Sequence, residues 1–247
     1  MESIIDLTGR KILVTGASSG IGRATSILLS RIGAAVALVA RNEAMLADTI
    51  NSMDNRSSHC YYICDLTQLD EIPILMNCIT GADGKKLNGF VHCAGVGTVT
   101  PIQTINPKIA EKIMSLNFYS FLLLTKELAK KRNCTDGSIV GISSIGAHKP
   151  QKCLSLYSGS KMALEGAVTA LAPELKPKGI RINAIVAGAT DTHMMDNFIE
   201  HNDELKELIR NFPMAKPGDI ANAIAFLLSE ASSTITGGHY FVNGGYL

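Results

Sequence analysis

The sequence predicts an α/β fold, a doubly wound parallel β-sheet with helices on both faces, built as one domain spanning residues 1–247. Three observations predict it. Short, continuously apolar runs recur along the chain, stretches with helical apolar spacing alternate with them, and no linker, internal repeat or low-complexity tract interrupts the series. A strand that reads as apolar throughout is covered on both faces, and a parallel sheet needs a crossover helix between successive strands.

The first run, Lys11 to Thr15 (KILVT), has the length and β-branched content of a buried strand and stops at a glycine-rich turn, Gly16 to Gly22. Arg23 to Ile32 carries apolar side chains at helical spacing, ends at Gly33, and gives way to a second strand, Ala34 to Ala40. The alternation continues with a helix at Glu43 to Met53, a strand at Cys60 to Cys64, a helix at Leu69 to Ile79 and a strand at Gly89 to Cys93. A long helix over Pro107 to Lys131 follows, then strand Ser138 to Ser143, helix Tyr157 to Leu175 and strand Arg181 to Val186. Helix Asp219 to Leu228 and strand His239 to Val242 close the series. One stretch, about 188–217, breaks the rhythm: it holds His193, Met194, Met195 and His201 without a convincing strand, and reads as an inserted helical loop over a binding site.

Composition narrows the function classes. With 23 basic against 22 acidic side chains the chain lacks the basic excess that a grip on DNA or RNA requires. Its six cysteines form no C-x-x-C pair and have no clustered histidines to complete a zinc tetrahedron, so no metal is expected. Glu2 and Asp6 interrupt the opening segment and no uncharged apolar stretch is long enough for a bilayer, which predicts a cytoplasmic protein without membrane contact.

The turn Thr15-Gly16-Ala17-Ser18-Ser19-Gly20-Ile21-Gly22 lies between the first strand and the first helix, where a Rossmann-type fold cradles a pyrophosphate. Glycines there let the backbone approach the ligand, and the helix N-terminus offers unpaired N–H groups. The end of the second strand faces the adenosine ribose, where a carboxylate suits a free 2′-hydroxyl and an arginine suits a 2′-phosphate. The residues there are Ala40-Arg41-Asn42, and Ser18 is also at hand, so NADP(H) is expected in preference to NAD(H). Asp65, directly after the third strand, suits either the adenine amino group or the cap of the following helix.

These residues, with others at matching spacing, resemble the classical short-chain dehydrogenase/reductases over nearly the whole chain. The resemblance rests on TGASSGIG at 15–22, DLT at 65–67, CAG at 93–95, Asn117, ISS at 142–144, YSGSK at 157–161 and NAIVAG at 183–188. It implies cofactor contacts from Ser19, Ile21, Leu66, Ala94, Gly95 and Gly188, with Thr190 and Thr192 at the nicotinamide end. It also implies a catalytic set of Asn117, Ser144, Tyr157 and Lys161, and pairing of the helices that carry Asn117 and Tyr157 into a homodimer or homotetramer. The apolar ending with Tyr240, Phe241 and Tyr246 fits a covered surface. Two positions depart from the family: N-N-A-G reads His92-Cys93-Ala94-Gly95, which keeps the backbone course but changes its side-chain bonds, and the usual proline is Ala187, which makes that turn less rigid.

Reduction of a carbonyl needs a proton donor at the developing alkoxide and a polar group on the oxygen. Tyr157 is the candidate donor, and Lys161, four residues on, shares its helix face. A cation about 4 Å away at an effective dielectric of about 20 is worth about 4 kcal/mol, enough to bring a phenol from near 10 to near 7. By the resemblance Lys161 also binds the nicotinamide ribose, Ser144 holds the substrate oxygen and Asn117 supports a water that relays protons. His193 and Met194 are expected on the substrate side. His148, Lys149 and Lys152 form either a solvated basic face or a site for an acidic carrier. The leading expectation is an NADPH-dependent reductase of a small ketone or aldehyde. A 3-oxoacyl-acyl-carrier-protein reductase, acting on a carrier-linked substrate, and an NADP(H)-binding protein without turnover are the alternatives.

Overall fold

The computed structural model describes residues 5–200, 206–207, 210 and 214–245. Three residues of the sequence reading, Glu2, His201 and Tyr246, lie outside the described residues. Seven parallel strands form one sheet in the order β3-β2-β1-β4-β5-β6-β7. They are β1 (Lys11–Thr15), β2 (Ala35–Ala40), β3 (Cys60–Ile63), β4 (Leu87–His92), β5 (Cys134–Ser144), β6 (Ile180–Ala187) and β7 (His239–Val242). The helices are α1 (Gly20–Arg31), α2 (Glu43–Asn51), α3 (Ile72–Gly81), α4 (Pro107–Met114), α5 (Ser120–Leu128), α6 (Ser155–Leu175), α7 (His193–Glu200) and α8 (Pro217–Leu228).

The continuous apolar strands are buried on both faces, as their sequences predict. In β1, Ile12 and Val14 join a core layer with Leu29 of α1, Leu46 of α2 and Ile224 of α8, whereas Leu13 joins the opposite layer with Phe90, Phe121 of α5 and Leu164 of α6. Alternate residues therefore anchor helices on opposite sides of one sheet. The strand order reverses between β1 and β4, and the crevice at their carboxyl ends is where an open α/β sheet binds ligands.

Several boundaries move by a few residues, and one element changes in kind. The expected single helix from Pro107 to Lys131 is α4, a π-helical turn at Ser115–Tyr119, and α5. Asn117 lies inside that turn, fully buried, and its side-chain bonds explain the widening. Strand β5 starts earlier than expected, at Cys134, and a 3₁₀ turn at Leu69–Glu71 precedes α3. The less rigid turn expected from Ala187 is not what forms: Ala187 extends β6, pairs with Ser144 and Val242, and is buried.

Among the described residues no helix is long and apolar enough to cross a membrane. No group of His, Cys, Asp and Glu among them is arranged to hold a metal ion.

Candidate active site

A cavity of about 530 Å³ opens at the carboxyl ends of β1, β4 and β5. One wall is the glycine-rich turn. Gly16 has φ +65°, and a Cβ there would lie 2.8 Å from the Ala94 nitrogen, so the first strand and the loop after β4 approach closely only because this residue is glycine. A Cβ on Gly22 would lie 2.2 Å from the Gly16 carbonyl oxygen. The N-cap of α1, Ser19, makes no side-chain cap bond, and no acidic side chain occupies the first turn. The uncapped, positively polarised end of α1 therefore meets the cavity, which is the arrangement a pyrophosphate needs.

Arg41 lines the same cavity and is exposed, and its neighbour Asn42 is occupied in capping α2 through the Met45 amide at 3.0 Å. Asp65 Oδ1 accepts from the Thr67 amide at 3.0 Å and the Thr67 hydroxyl at 2.9 Å. It closes a local turn in place of capping α3, whose N-cap is Glu71. Asp65 and Leu66 still line the cavity, as do Ser18, Ile21, Gly188, Thr190 and Thr192. Gly188 is held where a Cβ would come 2.7 Å from Asn243 Cα, and its amide donates to Val242 at 3.0 Å.

The second wall carries the groups with chemistry. Ser144 ends β5, its Oγ accepts from the Gly146 amide at 3.1 Å, and its side chain is near enough to the Tyr157 phenol to favour the phenolate. Tyr157 and Lys161 stand one helical turn apart on α6, and Lys161 Nζ lies 5.9 Å from the Tyr157 ring centroid while donating to the Ile142 carbonyl at 2.8 Å. Burial pushes the Tyr157 phenol above its usual range, opposed by the Ser144 side chain, and burial brings Lys161 down to about 8. The expectation that Lys161 draws the phenol toward 7 is therefore corrected. Desolvation penalises both charged forms, and the ammonium is turned onto a main-chain carbonyl.

Asn117 does not sit free in the site. Its amide nitrogen donates to the Val96 carbonyl and to Ser160 Oγ, both at 2.9 Å, and its Oδ1 accepts from the Val96 amide at 2.8 Å. These bonds splice the loop after β4 to α6. Gly95 lies between, where a Cβ would be 3.3 Å from Lys161 Nζ and 3.4 Å from Asn117 Oδ1.

The altered H-C-A-G segment is stitched by new bonds. His92 is wholly buried, with Nε2 facing the Leu116 carbonyl at 3.2 Å and Nδ1 facing Thr15 Oγ1 at 3.0 Å. A carbonyl only accepts, so Nε2 carries the proton and Nδ1 accepts from the threonine hydroxyl. Burial first, then the nearby Lys161 charge, lowers His92 to about 3, and burial raises the Cys93 thiol to about 12.

Two residues missed in the sequence belong to this region. Phe198 of α7 packs edge-on to Tyr157 with ring centroids 5.4 Å apart, over Gly97, where a Cβ would lie 2.3 Å from Phe198 Cζ. Met194 and Met195 join the same apolar cluster, and His193, which also lines the cavity, is exposed and faces Asp196 at 3.5 Å. Glu165, one turn beyond Lys161, is 1% exposed and accepts from Ser143 Oγ. A contact between a phenylalanine and a glycine a hundred positions earlier, or a carboxylate and two distant histidines, leaves no mark at local spacing. Lys149 also lines the cavity, and Lys152 is exposed beside it.

The family model for enoyl-(acyl carrier protein) reductase matches residues 16–247. The 3-oxoacyl-[acyl-carrier-protein] reductase of Rickettsia bellii is 34% identical over 99% of both chains. A short-chain type dehydrogenase/reductase from Mycobacterium ulcerans, a solved structure, superposes with a TM-score of 0.87 at 29% identity, covering 98% of this chain and 90% of that one. The chain belongs to the short-chain dehydrogenase/reductase family. A further relative, the glucose 1-dehydrogenase of Gluconobacter oxydans, is 34% identical over 96% of this chain and 91% of its own. The chain is thus an oxidoreductase of this family, and its relatives span a carrier-linked acyl group and a sugar.

Proposed function

We propose that this protein is an NADP(H)-dependent carbonyl reductase. The observation that carries the reading is the convergence of Ser144, Tyr157 and Lys161 on one cavity with the uncapped N-terminus of α1 and Arg41. The cofactor supplies the hydride. Tyr157, whose phenol burial keeps protonated, donates the proton to the substrate oxygen, and Ser144 holds that oxygen by a second hydrogen bond. Lys161 binds the nicotinamide ribose and returns a proton to Tyr157. Asn117 Oδ1 faces the same small space at Gly95 as Lys161 Nζ, which suits a relay through water there. At the other end Arg41 and Ser18 hold the 2′-phosphate, with no carboxylate at the end of β2 to repel it.

Residues 188–217 would supply the substrate-binding loop, and apolar side chains of α7 line one side of the cavity. Leu154, Met194, Met195 and Phe198 offer no hydrogen-bond partner to a polyol. This favours a ketone with an apolar substituent, and the 3-oxoacyl-carrier reductase similarity makes a 3-oxoacyl thioester the leading substrate, acting in the cytoplasm as a homodimer or homotetramer. A panel of 3-oxo esters, 3-oxoacyl thioesters, enoyl thioesters, sugars and simple ketones with NADPH, followed at the nicotinamide absorbance, tests the reading. Turnover of 3-oxo substrates that Tyr157→Phe abolishes is expected. Activity no greater than that of Tyr157→Phe on every compound refutes it. Arg41→Ala is expected to raise the NADPH KM about tenfold or more while leaving NADH little changed, as loss of a charge-assisted phosphate contact requires.

A further inference from the structure

We propose that Glu165 is a positioning residue for carbonyl reduction, holding in place the turn that presents Ser144; the inference rests on the reductase reading above. Glu165 touches neither the cavity nor the reacting groups. It lies on α6 at the next turn after Lys161, so Tyr157, Lys161 and Glu165 follow one another at four-residue steps along one helix face.

Its carboxylate grips both ends of one short turn. Oε1 accepts from the hydroxyl of Ser143, the residue before Ser144. Oε2 accepts from His148 Nε2 at 2.8 Å, and His148 is the residue that ends the 3₁₀ turn Ile145–Ala147. Between these tethers the Gly146 amide donates to Ser144 Oγ. His239, at the start of β7, lies with Nδ1 3.2 Å from Oε2 and with Nε2 facing the Glu165 main-chain carbonyl at 3.1 Å, and the Phe241 ring packs on His148 with centroids 5.0 Å apart. The Ser143 hydroxyl also lies 3.4 Å from the Lys161 carbonyl, tying the same strand end to the helix at the lysine itself.

Burying a carboxylate is costly unless donors surround it, and an apolar side chain of similar volume would serve packing alone at least as well. What this carboxylate adds is geometry. The helix that carries Tyr157 also sets where Ser144 stands, so the two hydroxyls that share the substrate oxygen are registered against one another by a single residue. A displacement of about 1 Å in such a pair costs about a hundredfold in rate.

The test uses Glu165→Gln alone and in a Ser144→Ala background, with ethyl acetoacetate as a small 3-oxo ester and NADPH. In the otherwise unchanged protein kcat is expected to fall about tenfold to a hundredfold, with the NADPH dissociation constant within about twofold. In the Ser144→Ala background Glu165→Gln is expected to cause no further loss, because its effect passes through Ser144. Equal proportional losses in both backgrounds, or NADPH affinity falling in step with kcat, would overturn the proposal. If Glu165→Gln does not fold, Ser143→Ala and His148→Ala each cut one tether. Smaller, non-additive kcat losses are then expected, and additive losses or none overturn the proposal. Should the unmodified protein turn over no ketone above the Tyr157→Phe background, the reductase reading falls, and amide hydrogen exchange at Gly146 still decides the tether. Exchange should accelerate in Glu165→Gln, and unchanged protection refutes the positioning role.

Discussion

His92 shows how one residue at a strand end changes what the fold demands of pH. The imidazole is buried neutral with its pKa lowered to about 3, whereas an unfolded chain binds the proton near 6.5. The unfolded state therefore holds more protons between those values, so stability is full above about 6.5 and falls progressively as pH drops toward 3, by an upper figure of about 5 kcal/mol. Urea denaturation of the protein and of His92→Asn at pH 7 and pH 4.5 checks this. The asparagine variant is expected to lose distinctly less stability between the two, and an equal loss would contradict the linkage. Tyr157 carries the opposite sign. Its phenol is raised by burial, so the proton-donating form persists through neutral pH and carbonyl reduction is expected to be flat from about pH 6 until Lys161, lowered to about 8, loses the proton it returns, while alcohol oxidation, which needs the phenolate, climbs with pH. Paired kcat profiles in the two directions measure it.

At the scale of elements, the π-helical turn at Ser115–Tyr119 is the piece that joins fold to chemistry. Asn117 satisfies both main-chain groups of Val96 and donates to Ser160 Oγ, which keeps its own bond to the Tyr157 carbonyl, so Asn117→Leu leaves the two part-buried main-chain groups of Val96 without that partner and should cost about 2 kcal/mol, read as a lower denaturation midpoint. The strands and most helices are legible in the chain because apolar runs buried on both faces carry their own periodicity, and the phosphate cradle is legible because glycine spacing is a local backbone requirement. The π turn leaves no periodicity of its own, because the run from Pro107 to Lys131 reads as one helix and the partners that hold Asn117, Val96 and Ser160, lie far off in sequence. Glu165 and Phe198 were not visible at all, since each acts through partners brought from distant strands and loops. For Phe198 the consequence is testable: Phe198→Ala removes the edge that covers Tyr157 and should raise kcat/KM for branched ketones relative to linear ones. A ratio unchanged by the substitution would mean that α7 does not shape the pocket.

The whole molecule leaves apolar side chains where a lone copy gains nothing from them. Tyr119, in the π turn, and Met162, on α6, are 40% and 44% exposed on elements that pack together, and Phe241 on β7 is 41% exposed. The first two lie on the same elements as Asn117 and Tyr157, so the face they form is the outer side of the catalytic wall. Near-zero net charge, +1 for the chain, puts no electrostatic obstacle in the way of a second copy. Light scattering is therefore expected to give about two or four times the 26.3 kDa of one chain, and a pairing through these apolar side chains would be little affected by salt. Met162→Lys places a charge at the centre of that face and should shift the mass toward one chain. In a pair built on this face α6 would be braced from outside, so kcat is expected to fall together with the mass, and a monomeric mass for the unmodified protein would refute the pairing.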